Sequence, residues 1–266
     1  MMATTLQSLN RAQDRRPPRI VKYGVAGVGK TTLAAGAPNP VFILTEDGLG
    51  QIQATSFPIA RSYWDVMGAL DALLNESHDF ATVVVDSLDW LEPLIWAEVC
   101  AQQNVRNIEE IGYGKGYAFA LDLWRAYLEK LNRLRDEKNM VVIQIAHSVI
   151  KRFDSPEHDP YDRYEIKLHA KASALIQEHS DCVLFANYRI STTKTDVGFK
   201  KKVNRAVGDG ERVLYTQERP AFLAKNRYNL PLELPMDWKT LEGYLTGQLA
   251  QQPNQPQPQP QPQSTQ

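Results

Sequence analysis

The sequence predicts an α/β fold, a mainly parallel sheet flanked by helices with a β-hairpin region toward the C-terminus. Three observations carry this expectation. A glycine-rich segment, Gly24-Val25-Ala26-Gly27-Val28-Gly29-Lys30-Thr31, lies between an apolar run and a run able to open a helix. Short, continuous, β-branched runs recur along the chain, separated by stretches of helical period, as in sheets covered on both faces. The 266 residues are 43% hydrophobic and 23% charged, the composition of a chain with ample length for a buried core.

Residues 1–18 are polar and end in Arg15-Arg16-Pro17-Pro18, which reads as an extended arm because proline disfavours helix in the residue before it. Residues 19–23 form the first expected strand, followed by the glycine turn and a helix opening at Thr32. Further strands are expected at Val41–Thr45, Thr82–Asp86, Met140–Ala146 and Asp181–Ala186. The longest helix starts near Tyr117, where Tyr117, Leu121, Trp124, Leu128, Leu131 and Leu134 recur at spacings of three and four and make one apolar stripe. From Gly247 the chain turns into a Gln/Pro repeat that has too little apolar area to offset its ordering entropy. The expected organisation is therefore an arm (1–18), one domain (19–246) and a disordered tail (247–266).

Composition excludes several classes. A net charge of −1 gives no global attraction to nucleic acid, so any such surface must be local. No apolar run is long enough to cross a bilayer, and the first residues lack the apolar core of a signal peptide, so the expectation is a cytoplasmic protein with no membrane partner. Cys100 and Cys182 read as reduced core residues. The five histidines have no CxxC or HExxH companions that would argue a zinc site, and no G-x-S-x-G elbow is present.

Gly24–Thr31 is a complete G-x-x-x-x-G-K-[ST] phosphate-binding loop, the P-loop or Walker A motif. Its glycines let successive backbone N–H groups turn toward phosphates, so residues 24–32, Gly24 to Thr32, are the expected nucleotide contacts. Lys30 would reach the β- and γ-phosphates, and the Thr31 hydroxyl would hold Mg²⁺. Asp86, after four strand residues, fits the second anchor for Mg²⁺, with capping of the next helix as the alternative. Hydrolysis also needs a carboxylate to orient water. Glu46, just past the second strand, is one candidate, and Asp89 and Glu92 are the others. Gln144 or His147 is placed to sense the γ-phosphate, or is a satisfied structural residue.

These residues resemble the RecA/RadA-type recombinase core. The chain over residues 19–235 resembles more closely the phage-encoded AAA-type ATP-binding proteins related to the RecA-core Sak single-strand annealing proteins. The discriminating segments are Gly112-Tyr-Gly-Lys-Gly116-Tyr117, Lys167-Leu-His-Ala-Lys171-Ala172 and the stretch from Pro220 to Pro231. The resemblance implies a RecA-like fold, ATP and Mg²⁺ as ligands, and Glu46 rather than Glu92 as the water-orienting group. It also implies a homo-oligomer with nucleotide bound between subunits, a basic finger in trans at Lys225 and Arg227, and a host-cytoplasm setting. Single-stranded DNA is the implied partner, annealing or strand pairing the implied activity, and a single-strand-binding protein a further candidate partner. A nucleotide-switched loader acting on proteins and a DNA motor component are the alternatives.

Two local surfaces could touch the strand. Residues 188–205 carry Arg189, Lys194, Lys200, Lys201, Lys202 and Arg205 against Asp196 alone, flanked by Tyr188 and Phe199. Such lysines contact backbone phosphates and such aromatics stack on bases; equally, they can be a solvated hairpin edge that blocks aggregation. Residues 151–171 include Lys151 and Arg152 but balance five basic with five acidic side chains, and read as a long polar loop.

Overall fold

Alternation of β-branched runs with helical segments produces the layered arrangement expected of it. The computed structural model describes residues 16–155, 159–189, 191–196, 202–207 and 210–249. In chain order the elements are β1 (Arg19–Gly24), α1 (Lys30–Ala35), β2 (Pro40–Leu44), β3 (Thr55–Ser56), α2 (Tyr63–Asn75), β4 (Thr82–Asp86) and α3 (Leu88–Gln103). Then come α4 (Lys115–Lys138), β5 (Val141–Phe153), β6 (Tyr161–Ile166), α5 (Ala170–His179), β7 (Cys182–Tyr188), β8 (Ser191–Asp196) and β9 (Lys202–Val207). The last are β10 (Arg212–Tyr215), β11 (Lys225–Asn226), β12 (Glu233–Pro235) and α6 (Trp238–Leu245).

The main sheet runs β12-β10-β7-β1-β5-β4-β2-β3, with β11 added beside β7 and β6 beside the outer half of β5. From β7 through β3 every neighbouring pair is parallel. One strand, β5, is thus interposed between β1 and β4, and the tips of β1, β4 and β2 open on the same edge. The fold is a P-loop α/β domain with a mostly parallel central sheet. One face is covered by α2 to α5, whose Trp124, Leu128, Leu131 and Leu134 are fully or nearly fully buried, as the stripe predicts. Tyr127 joins them, while Tyr117 and Leu121 sit at the margin. The other face is covered by α1 and α6 through Leu33, Ala34, Trp238 and Leu241.

The structure departs from expectation after His147. The strand does not end there; β5 continues to Phe153 and turns back antiparallel as β6, so 151–171 is a hairpin leading into α5 rather than a polar loop. Counting charges hid the cross-strand pairing that makes it: Phe153 faces Tyr161 with ring centroids 5.5 Å apart, and the Arg163 guanidinium lies 3.9 Å over the Phe153 ring. The second basic segment is the antiparallel hairpin β8–β9, carrying Lys194, Lys202 and Arg205 on its strands. Lys200 and Lys201 lie outside the described residues, as do most of the expected arm (1–15) and tail (250–266).

Candidate nucleotide site

The phosphate loop leaves β1 at Gly24, level with His147 of β5 and Ala186 of β7. A Cβ at Gly24 would lie 2.1 Å from the Ala186 carbonyl oxygen, so the close approach of β7 admits glycine alone. Gly29 opens α1 in the left-handed region, with φ 92°, and the chain curls back so that Lys30 Nζ donates to the carbonyls of Gly24 at 3.2 Å and Val25 at 3.0 Å. Beneath the loop, Lys22 is fully buried in β1 and donates to the Lys30 carbonyl. Burial, and next the neighbouring Lys30 charge, push the Lys22 amine well below the ordinary lysine range. Lys30 is lowered too, by burial, although Asp86, Asp89 and Glu46 oppose the shift.

Thr31 and Asp86 meet where the motifs require. The Thr31 hydroxyl donates to Asp86 Oδ2 at 2.8 Å. Burial raises the Asp86 carboxyl despite that bond, and the Glu46 charge adds to the rise. Glu46 follows β2 and is held in place from β4: Ser87 Oγ donates to Glu46 Oε1 at 2.6 Å. Ser87 is fixed in turn by Thr45, whose hydroxyl donates to the Ser87 carbonyl at 2.7 Å and accepts the Ser87 N–H at 2.8 Å. The Asp86–Ser87 peptide is cis.

His147 completes the group from β5. Its Nδ1 lies 3.9 Å from Glu46 Oε1 and 3.0 Å from Asp89 Oδ2, and its backbone N–H donates to Asp89 Oδ1 at 2.9 Å. Burial alone would raise Asp89, but the bonds from His147 hold its carboxyl below the usual range. Asp89 is therefore committed to orienting His147, which leaves Glu46 as the accessible carboxylate beside Asp86. Sequence reasoning did not find Lys22, Thr45 or Ser87. Lys22 had a signal, a lysine inside an otherwise buried strand; Thr45 and Ser87 are unremarkable until β2 and β4 lie side by side.

Glu92 takes a different role. It is buried on α3, and both of its oxygens accept the His169 N–H, at 3.1 and 3.0 Å, at the start of α5. Burial pushes its carboxyl up from 4.5 to about 7. A folded-state value above the unfolded one means that the folded protein holds the proton more tightly. The stabilisation is complete below about pH 4.5 and is lost as pH rises through about 7. Glu92→Gln, which keeps the acceptor, is expected to remove this slope and to raise stability at pH 8 by about 3–4 kcal/mol, from roughly 1.4 kcal/mol per pH unit. Melting temperatures of wild type and variant between pH 5 and 8 measure it; parallel curves would contradict the assignment.

Several expected site residues lie elsewhere. Gln144 is fully buried and its Oε1 accepts from the Tyr127 hydroxyl at 3.0 Å on the α4 face, three residues short of the level of Gly24. It does not reach the phosphate edge because the edge falls at His147. Lys225 and Arg227 lie beside the start of β7, at the opposite end of the sheet from the loop. Lys225 Nζ donates to the carbonyls of Gln177, Glu178 and Ser180 at 2.7, 3.2 and 2.7 Å, closing the C-terminus of α5. Arg227 joins Arg19 and Arg135 around Asp181. Lys225 is thus spent on carbonyls of its own chain, whereas Arg227 makes one 3.4 Å contact with Asp181 and keeps a side chain that is 55% exposed. Arg189 is held by Glu211 at 2.6 Å and Glu233 at 2.7 Å, which neutralises it as a phosphate contact. Lys151 reaches the Leu168 carbonyl at 3.0 Å, and Arg152 is exposed beside Asp154.

The family model described as AAA domain matches residues 16–228, well over half of the chain, the phosphate loop, Glu46, Asp86 and His147 among them. The chain belongs to the AAA domain family. No curated protein matches it in a separate search. An AAA domain of this kind is a nucleotide-binding P-loop ATPase, and the oxygen set fits the Mg²⁺ such domains use: one hydroxyl and one carboxylate 2.8 Å apart, with phosphates and water left to fill an octahedron. Among the described residues no group of three or more His, Cys, Asp or Glu could hold a metal ion. Among them, too, no helix of this AAA domain is long and apolar enough to cross a membrane.

Proposed function

We propose that this AAA domain hydrolyses ATP and uses it to bind single-stranded DNA and promote annealing or strand pairing. Lys30 and the loop amides hold the phosphates, and Thr31 and Asp86 hold Mg²⁺, which when bound neutralises charge on the β- and γ-phosphates. Glu46, kept in position by Ser87, orients the attacking water and accepts its proton. His147, aimed by Asp89, stands between this site and the β5–β6 hairpin.

The observation that carries the DNA reading is a groove of about 390 Å³ lined by Trp90, Trp96, Val149, Lys151 and Lys167, with Asp89 and Glu92 also in its wall. Indole faces stack on unpaired bases and lysines meet the backbone, the combination expected of a surface that tolerates any sequence. The groove shares Asp89 with the nucleotide site, so occupancy of one can be felt at the other through His147. In this reading copies of the chain line up along the strand with nucleotide between them. A second reading, an assembly ATPase acting on protein partners, draws on the exposed Trp90 and Ile150, which are 51% and 58% accessible.

Fluorescence anisotropy with a labelled single-stranded oligonucleotide separates them. Trp90→Ala combined with Lys151→Glu and Lys167→Glu is expected to weaken binding about tenfold or more, given ~1–3 kcal/mol per stacked base. Unchanged affinity, or no binding by the wild type, would leave the protein-partner reading.

A further inference from the structure

The side of the phosphate loop away from Glu46 is built by residues that neither motif includes. β10 pairs with β7 so that Arg212 stands opposite Tyr188, two positions beyond the level of Gly24. Leu214 and Ala186 on these strands pack in the α1-side core, so Arg212 and Tyr188, two residues on from each, face the same side. The Tyr188 hydroxyl donates to the Gly27 carbonyl at 3.2 Å. The Arg212 guanidinium lies against Gly29: its Nη1 is 2.8 Å from where a Cβ on that residue would stand. The nearby carboxylates are already taken, since Glu211 and Glu233 both hold Arg189. Among the described residues Arg212 has no ion-pair partner, and its side chain is exposed.

We infer that Arg212 is a nucleotide-binding residue that contacts the phosphate chain from within the same subunit. The loop amides cradle the α- and β-phosphates, so a guanidinium lying on Gly29 is within reach of their oxygens. An arginine without a carboxylate partner at the mouth of an anion site keeps its donors for the ligand, and its fork matches two phosphate oxygens. Arg212 is distinct from a catalytic finger, because it flanks the part of the loop that holds the bound phosphates and lies across from Glu46. Arg212 and Tyr188 also form the root of the β8–β9 hairpin, so nucleotide at the loop tethers the base of the basic hairpin.

This inference rests on the P-loop reading, and one titration keeps the two apart. Fluorescent ADP and ATP are titrated with Mg²⁺ into wild type, Arg212→Ala, Arg212→Lys and Lys30→Ala, and melting is recorded without nucleotide. Arg212→Ala is expected to weaken both nucleotides about tenfold, the loss of one charge-assisted contact. Arg212→Lys should recover part of it, with melting unchanged. Affinities of Arg212→Ala within twofold of a wild type that binds, while Lys30→Ala does not bind, would overturn the inference alone. A wild type that binds neither nucleotide would overturn the P-loop reading and this inference with it.

Discussion

Lys30→Ala is expected to lower ATP turnover by two orders of magnitude or more and leave the fold intact. The ammonium sits inside the curl of its own loop, on the carbonyls of Gly24 and Val25, with Asp86, Asp89 and Glu46 around it. Removing one preorganised cation from a site where charge develops costs roughly 10²–10³ in rate. Burial already disfavours its charged form, so truncation should not lower the melting temperature. Steady-state phosphate release beside a thermal melt makes the comparison; turnover within tenfold of wild type would mean that the loop does not hold the reacting phosphates.

Glu46→Gln is expected to cut hydrolysis about 10²–10⁴-fold while nucleotide affinity stays near wild type, the range for loss of a positioned base. The amide oxygen can still accept the Ser87 hydroxyl that now reaches Glu46 Oε1 at 2.6 Å, so the side chain keeps its place and loses only its basicity. Asp89→Asn should cost less, because Asp89 acts through His147. Single-turnover hydrolysis with a parallel binding titration separates the two effects. A Glu46→Gln protein that hydrolyses at the wild-type rate would move the base elsewhere.

The phosphate loop, Thr31, Asp86 and Glu46 were legible in the sequence because each sits at a chain-local signal: a fixed spacing, or the first polar residue past an apolar strand. The sheet and the α4 stripe were legible for the same reason, since periodicity is local. What was hidden depends on partners distant in sequence. Ser87 and Thr45 gain meaning only when β2 and β4 pair, and Arg212 reaches Gly29 only because β10 adds to the far side of β7. Lys225, implied by the resemblance as part of a finger, is instead bound to carbonyls at the end of α5, a partner distant in sequence. Between Gln144 and His147 the apolar run alone could not choose; pairing with β1 puts His147 level with Gly24 and leaves Gln144 against Tyr127. The hairpin itself was masked by balanced charge, although its aromatic pairs were in plain view.

Under the proposed function, ATP hydrolysis at Lys30, Thr31, Asp86 and Glu46 is coupled to single-stranded DNA in the adjoining groove. The most direct measurement is ATP turnover by the full chain at saturating ATP and Mg²⁺, with and without a single-stranded oligonucleotide. Turnover should rise severalfold with the strand, and the rise should vanish in the Trp90, Lys151 and Lys167 variant while its basal rate persists. Turnover that is indifferent to DNA would contradict the coupling.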